Sequence, residues 1–97
     1  MSKIVVIKLS EGSEIVSQMS KVDEKTLLHK PRVLQIMPSQ SGYQVGLVPF
    51  FISNPDGDCI VNDNHITSII EAPKQIEDAY LRNTSGIEIA TSLTENM

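Results

Sequence analysis

The 97-residue chain has no tryptophan, two tyrosines, two phenylalanines, one cysteine and no long run of apolar or basic residues. Each shortage removes a class of explanation. With only Tyr43, Phe50, Phe51 and Tyr80, the core must be aliphatic, and no aromatic platform for stacking bases stands out. A lone cysteine, Cys59, cannot form an internal disulfide, so the fold does not rely on an oxidising compartment. Its place in the run Cys59-Ile60-Val61 reads as a small buried hydrophobe. Eight Lys and Arg against twelve Asp and Glu leave a net charge of -4. That balance opposes tight nonspecific binding to phosphates, which takes a basic face. No apolar stretch has transmembrane length, and Ile4-Val5-Val6-Ile7 is too short for a signal-peptide core and is cut by Lys8. The expectation is a soluble, cytoplasmic protein with no membrane partner.

What is present is a series of short aliphatic bursts separated by turn residues, on a length that suits one domain. Ile4 to Leu9 reads as a strand ending in the turn Ser10-Glu11-Gly12-Ser13, and Glu14 to Val22 as a second strand closed by Asp23-Glu24-Lys25. Thr26 to Met37 reads as a long third strand. Lys30 and Arg32 share parity there with Leu34 and Ile36, so a bulge or bend near Pro31 is expected to resolve the conflict. Pro38 to Gly42 reads as a loop, and Tyr43 to Ile52 as a fourth strand that Pro49 confines to an edge or a bulge. Asn54-Pro55-Asp56-Gly57 is a turn signal. Cys59 to Asn62 resumes extended structure, Asn62-Asp63-Asn64 is a short turn, and Ile66 to Glu71 is the last strand. Pro73 then opens a helix on which Ile76, Ala79 and Tyr80 recur at helical spacing, with Gly86 as its terminator.

Two parts of this pattern resemble the Sm-like (LSm/Hfq-like) family, over roughly residues 3–71. One is the succession of strand, Gly12 turn, strand, Asp23 turn and bent strand. The other is Ile60 to Ile69, similar to the family's second motif, in which a strand breaks in a tight turn and resumes as an edge strand. The chain also resembles small phage-encoded members. The resemblance implies an all-β fold, a small, strongly bent Sm-like barrel of five strands, with a C-terminal α-helix appended. On this reading residues 1–97 form one Sm-like domain: barrel about 3–71, helix about 73–85, polar tail 91–97. It implies a homo-oligomeric ring of about five to seven subunits, since a head-to-tail contact must close to avoid a filament. It further implies binding of single-stranded RNA, as an RNA-binding or RNA-chaperone module. The departures are a helix that follows the strands instead of preceding them and a long loop from Ser53 to Asp58. No Met-Asn follows Asp23, and Asn62-Asp63 stands where the family places an Arg-Gly turn.

The candidate RNA-binding residues are Asn62, Asp63, Asn64 and His65 at the second motif, and Lys30 and Arg32 within the most concentrated basic segment, His29-Lys30-Pro31-Arg32. A plainer reading of that segment is a solvated bend that keeps a strand soluble. No metal, catalytic or cofactor site is expected. The two histidines lack ligands at zinc spacing, and Asp56-Gly57-Asp58 with Asp63 lacks the alternating acids of a calcium loop. Gly42 to Gly46 has no following Lys-Ser/Thr, and no nucleophile motif is present. The chain is therefore read as a non-enzyme. The alternative function is a non-catalytic oligomeric scaffold that binds protein partners and no RNA.

Overall fold

The computed structural model describes residues 3–85. The expected helix terminator Gly86 and the polar tail 91–97 lie outside the described residues. Six strands, a single 3-10 turn and one α-helix follow one another: β1 (Lys3–Leu9), β2 (Glu14–Val22), β3 (Lys25–Ser39), β4 (Gly42–Pro49), β5 (Cys59–Val61), the turn Asp63–His65, β6 (Ile66–Glu71) and α1 (Lys74–Thr84). All pairings are antiparallel. The sheet runs β4-β3-β2-β1-β6, with β5 paired to the first part of β3.

The long β3 is the spine of this arrangement. Its residues Thr26 to Leu28 pair with β5, and Arg32 to Ser39 pair with β4, on the edge opposite β2. Between them lies the expected bulge. Val16 pairs with Arg32 and Gln18 with His29, so Ser17 alone opposes Lys30 and Pro31. Lys30 takes φ 52 there, a left-handed conformation uncommon for a side chain of its size. The extra residue shifts parity, which lets Leu28 and Val33 face the same way although an odd number of positions separates them. Both hairpin turns on this spine also use left-handed backbone, at Asp23 (φ 58) and Gly42 (φ 124).

Two apolar clusters sandwich β1 and β2, which explains why their sequences are aliphatic at consecutive positions. On one face Val5, Ile7, Ile15 and Leu28 are buried, and Leu9, Val33, Phe50, Cys59, Val61 and Ile66 pack against them. Residues from β5, β3, β2, β1 and β6 converge on this cluster, so the sheet curls around it. On the other face Val6 and Val16 meet Tyr80 of α1, with Leu34, Leu47, Ala72 and Ile76 around them. Of the expected stripe of Ile76, Ala79 and Tyr80, helix α1 thus lays Ile76 and Tyr80 on the second cluster. The Tyr80 hydroxyl donates to the His29 carbonyl at 2.7 Å, beside the bulge. Burial pushes that phenol above its ordinary value.

Three expectations are refined. Among the described residues there are six strands instead of five, and the sheet is not closed, its path having two ends. Strand β4 stops at Pro49, because proline offers no donor to continue the ladder; Phe50 to Asp58 leave it as a loop before β5 resumes. The expected loop at 38–42 shrinks to Gln40-Ser41. Pro38 and Ser39 stay in β3, which is possible because β3 runs past the end of β2 and has one unpaired edge there.

Candidate functional site

The turn at 62–65 is built by its own polar side chains. Asn62 caps it, its Oδ1 accepting from the Asn64 N–H at 3.1 Å, and the His65 N–H donates to the Asn62 carbonyl at 2.9 Å. Asp63 turns toward the β2–β3 hairpin and stays partly exposed. Its carboxylate accepts from the Thr26 hydroxyl at 2.7 Å and from Lys21 Nζ at 2.9 Å. The Thr26 hydrogen bond foremost, then that of Lys21, holds the Asp63 carboxyl below its ordinary 3.8. The His65 carbonyl accepts from the Ser10 N–H at 2.8 Å, so the turn is also tied to the β1–β2 connection. The two segments that carry the family resemblance therefore meet in space, through Asp63. Asn62, Asn64 and His65 remain exposed on the outside of the turn.

Lys30 and Arg32 do not share a surface patch with this turn or with each other. Arg32 is only 2% exposed, on the face covered by α1. Its guanidinium donates to Asp56 at 2.8 Å, to Asn83 of α1 at 2.7 Å, and to the Pro55 and Pro31 carbonyls. Four of its five N–H donors meet protein acceptors, so it fastens the 50–58 loop and the end of α1 to β3. Beside it His29 Nδ1 contacts Asp58, a second tie to the same loop. Lys30 is half-buried at the bulge. Other cations are also engaged: Lys3 with Glu71, Lys8 with Glu14, Lys21 with Asp63, and Lys74 with Asp78.

A cleft of about 320 Å³ opens beside the turn, walled by Leu9, Phe50, Phe51 and Val61 and rimmed by Asn62 and His65. Phe50 and Phe51 meet edge to face, ring centroids 4.9 Å apart. Cys59 lies in the same wall, and burial raises its thiol above 9.0, so it lacks the thiolate character of a reactive cysteine. The cleft offers flat apolar contact with an amide and an imidazole at one edge, a chemistry suited to a planar group with polar substituents. Sequence reasoning missed the two phenylalanines because their run reads as strand. The available signal was two adjacent aromatics directly after Pro49 in a chain with almost no others.

No group of three or more potential metal ligands occurs among the described residues. Among the same residues no helix is long and apolar enough to cross a membrane. Compared with protein-family models and with curated proteins, the chain matches none of them.

Proposed function

We propose that the chain is a subunit of an Sm-like ring, a curled sheet completed into a barrel-like body, whose copies join head to tail and which acts by binding. The observation that carries this reading is the pair of unfinished edges. Strands β4 and β6 end the sheet; β4 has no charged residue and β6 has one, its last, Glu71. Proteins normally protect free edges with lysine, proline or a cover, and here Pro49 stands only at the end of β4. Two edges with so little charge at opposite ends of one sheet suit a heterologous contact between copies, closing at about five to seven. The bulged third strand and the broken strand that resumes as edge strand β6 support the family resemblance.

Between the two ligand classes, the scaffold reading is the better supported. Arg32 is spent inside the protein, Lys21 is neutralised by Asp63, and the net charge is -4. Such a subunit has few phosphate contacts to offer. One observation favours the RNA reading: the exposed Asn62 and His65 stand at the mouth of an apolar cleft containing Phe51. Base stacking of that kind needs little positive charge. No catalytic role is proposed.

The experiment is purification of the full chain from its host, with nucleic acid and protein both assayed in the recovered assembly. Recovered protein partners with no RNA support the scaffold. Recovered RNA, lost when Phe51 and His65 are changed to Ala, supports the second reading. Reversing Arg32 is not a usable test, since an acid at that buried position would break the fold.

A further inference from the structure

The curl of the sheet brings β5 toward the β1–β2 connection, and the apolar cleft lies between them. Phe51, Ile60 and Val61 stand on one side of it, Leu9, Ser10 and Glu11 on the other. Among the described residues β5 pairs only with β3, so its second edge is free. The register shows which backbone groups that edge presents. The two-residue turn Asp23-Glu24 makes Val22 and Lys25 a hydrogen-bonded pair. Lys25 and Leu27 therefore point their backbone groups at β2, and Thr26 and Leu28 point theirs at β5. Val61 and Cys59 answer Thr26 and Leu28, which leaves the N–H and C=O of Ile60 turned outward.

The rim of the cleft is acidic. Glu11 lines it, and Asp58 lines a smaller depression of about 210 Å³ that shares Phe51 and Cys59 with it. No lysine or arginine lines either one. The Glu11 side chain is exposed but fixed, its carboxylate accepting from the Ser13 N–H and hydroxyl, each at 2.9 Å. A fixed anion at the mouth repels a phosphate backbone and attracts a cation. On the walls, Phe51 and Ile60 stay 45% and 58% exposed. Apolar surface of this kind beside an unpaired strand edge suits an extended peptide, whose main chain bonds the edge while a side chain fills the pocket.

We infer that the cleft takes an extended segment of a partner protein carrying a tyrosine and, two positions along, a lysine or arginine. The segment's backbone pairs with the N–H and C=O of Ile60 and adds a strand beside β5. The tyrosine ring lies against Phe51 and Val61, and its hydroxyl meets Asn62 and His65 at the rim. Residues two apart in a strand project from one face, about 6.5–7 Å from each other, which directs the cation to Glu11. This inference rests on the scaffold reading and names the chemistry of the partner. It leaves β4 and β6 free for the contact between copies.

The test is fluorescence anisotropy of the dye-labelled peptide Thr-Tyr-Thr-Arg-Thr amide against the full-length protein. Its controls are the same peptide with glutamate in place of arginine, the peptide N-methylated throughout, and labelled hexauridine. Two exposed-site variants, Phe51→Ala and Glu11→Lys, are checked for an unchanged fold by circular dichroism. The arginine peptide is expected to bind about two- to fivefold more tightly than the glutamate peptide, with the order reversed in Glu11→Lys. Phe51→Ala should weaken it about tenfold or more. N-methylation, which removes the donor to the Ile60 carbonyl, should abolish binding. No saturable binding of the arginine peptide at millimolar protein overturns the inference, as does equal affinity for the two charged peptides. Hexauridine that binds in place of the peptide and is lost in Phe51→Ala overturns it in favour of RNA. Partners recovered from the host by both variants as fully as by the parent would leave the scaffold standing and overturn this site.

Discussion

Arg32 shows how much one side chain is made to do when an acidic chain has few cations. A guanidinium only 2% exposed carries a desolvation cost that its four acceptors must offset. Asp56→Ala removes the one charged acceptor and leaves a buried cation with neutral partners. Urea denaturation should show a loss of about 1–3 kcal/mol. Removing Lys3, whose pair with Glu71 is exposed, should cost less than about 1 kcal/mol. Asp63 governs a different property, the acid limb of stability. Its carboxyl is held below its ordinary value in the folded state, so its contribution is present above that value and is lost as pH falls through the folded value. Glu11, lowered by its hydrogen bonds from the Ser13 side chain and backbone, acts with the same sign. Asp63→Asn should therefore flatten the decline in melting temperature below about pH 4. An equally steep decline in the variant would show that other carboxylates set it.

At the scale of elements, the bulge and the helix explain each other. The bulge turns Arg32 and Leu34 to the α1 side and frees the His29 carbonyl to accept from Tyr80. Replacing Lys30 with glycine removes the left-handed strain at φ 52, worth about 1 kcal/mol or more, against the entropy that glycine adds to the unfolded chain. Thermal unfolding should show stability equal to or slightly above the parent, and a clear loss would mean the Lys30 stem packs. Tyr80→Ala should cost about 3–5 kcal/mol, because it empties the centre of the second cluster. Truncation after Ala72 should reduce solubility as well. Strands β2 and β6 were legible to the residue, since β-branched runs between turn residues leave little freedom. The bulge was legible too, from the parity conflict at Lys30 and Arg32. The partner of Arg32 was not: Asp56 and Asn83 lie far along the chain, and nothing local distinguishes a cation bound for the core from one bound for solvent. The same blindness hid the cleft, because the apolar content of Leu47 to Ile52 is as compatible with a strand as with the wall of a cavity. Of the six candidate residues, the turn at 62–65 stayed together, Arg32 went inward, and Lys30 stands apart.

For the whole molecule, the decisive fact is that folding leaves work undone. The sheet curls around one core and receives α1 on the other, yet its end strands carry a single charge, Glu71, and Ile36, Tyr43 and Val45 on β3 and β4 stay exposed to solvent. A small domain has little stability in reserve and gains from covering such surface with a second copy. The head-to-tail ring is the arrangement that covers both ends of every copy at once. Multi-angle light scattering of the unmodified full-length protein at micromolar concentration tests this most directly. The account predicts one species of about five to seven times the 10.7 kDa chain mass. A stable species of 10.7 kDa at that concentration would contradict it.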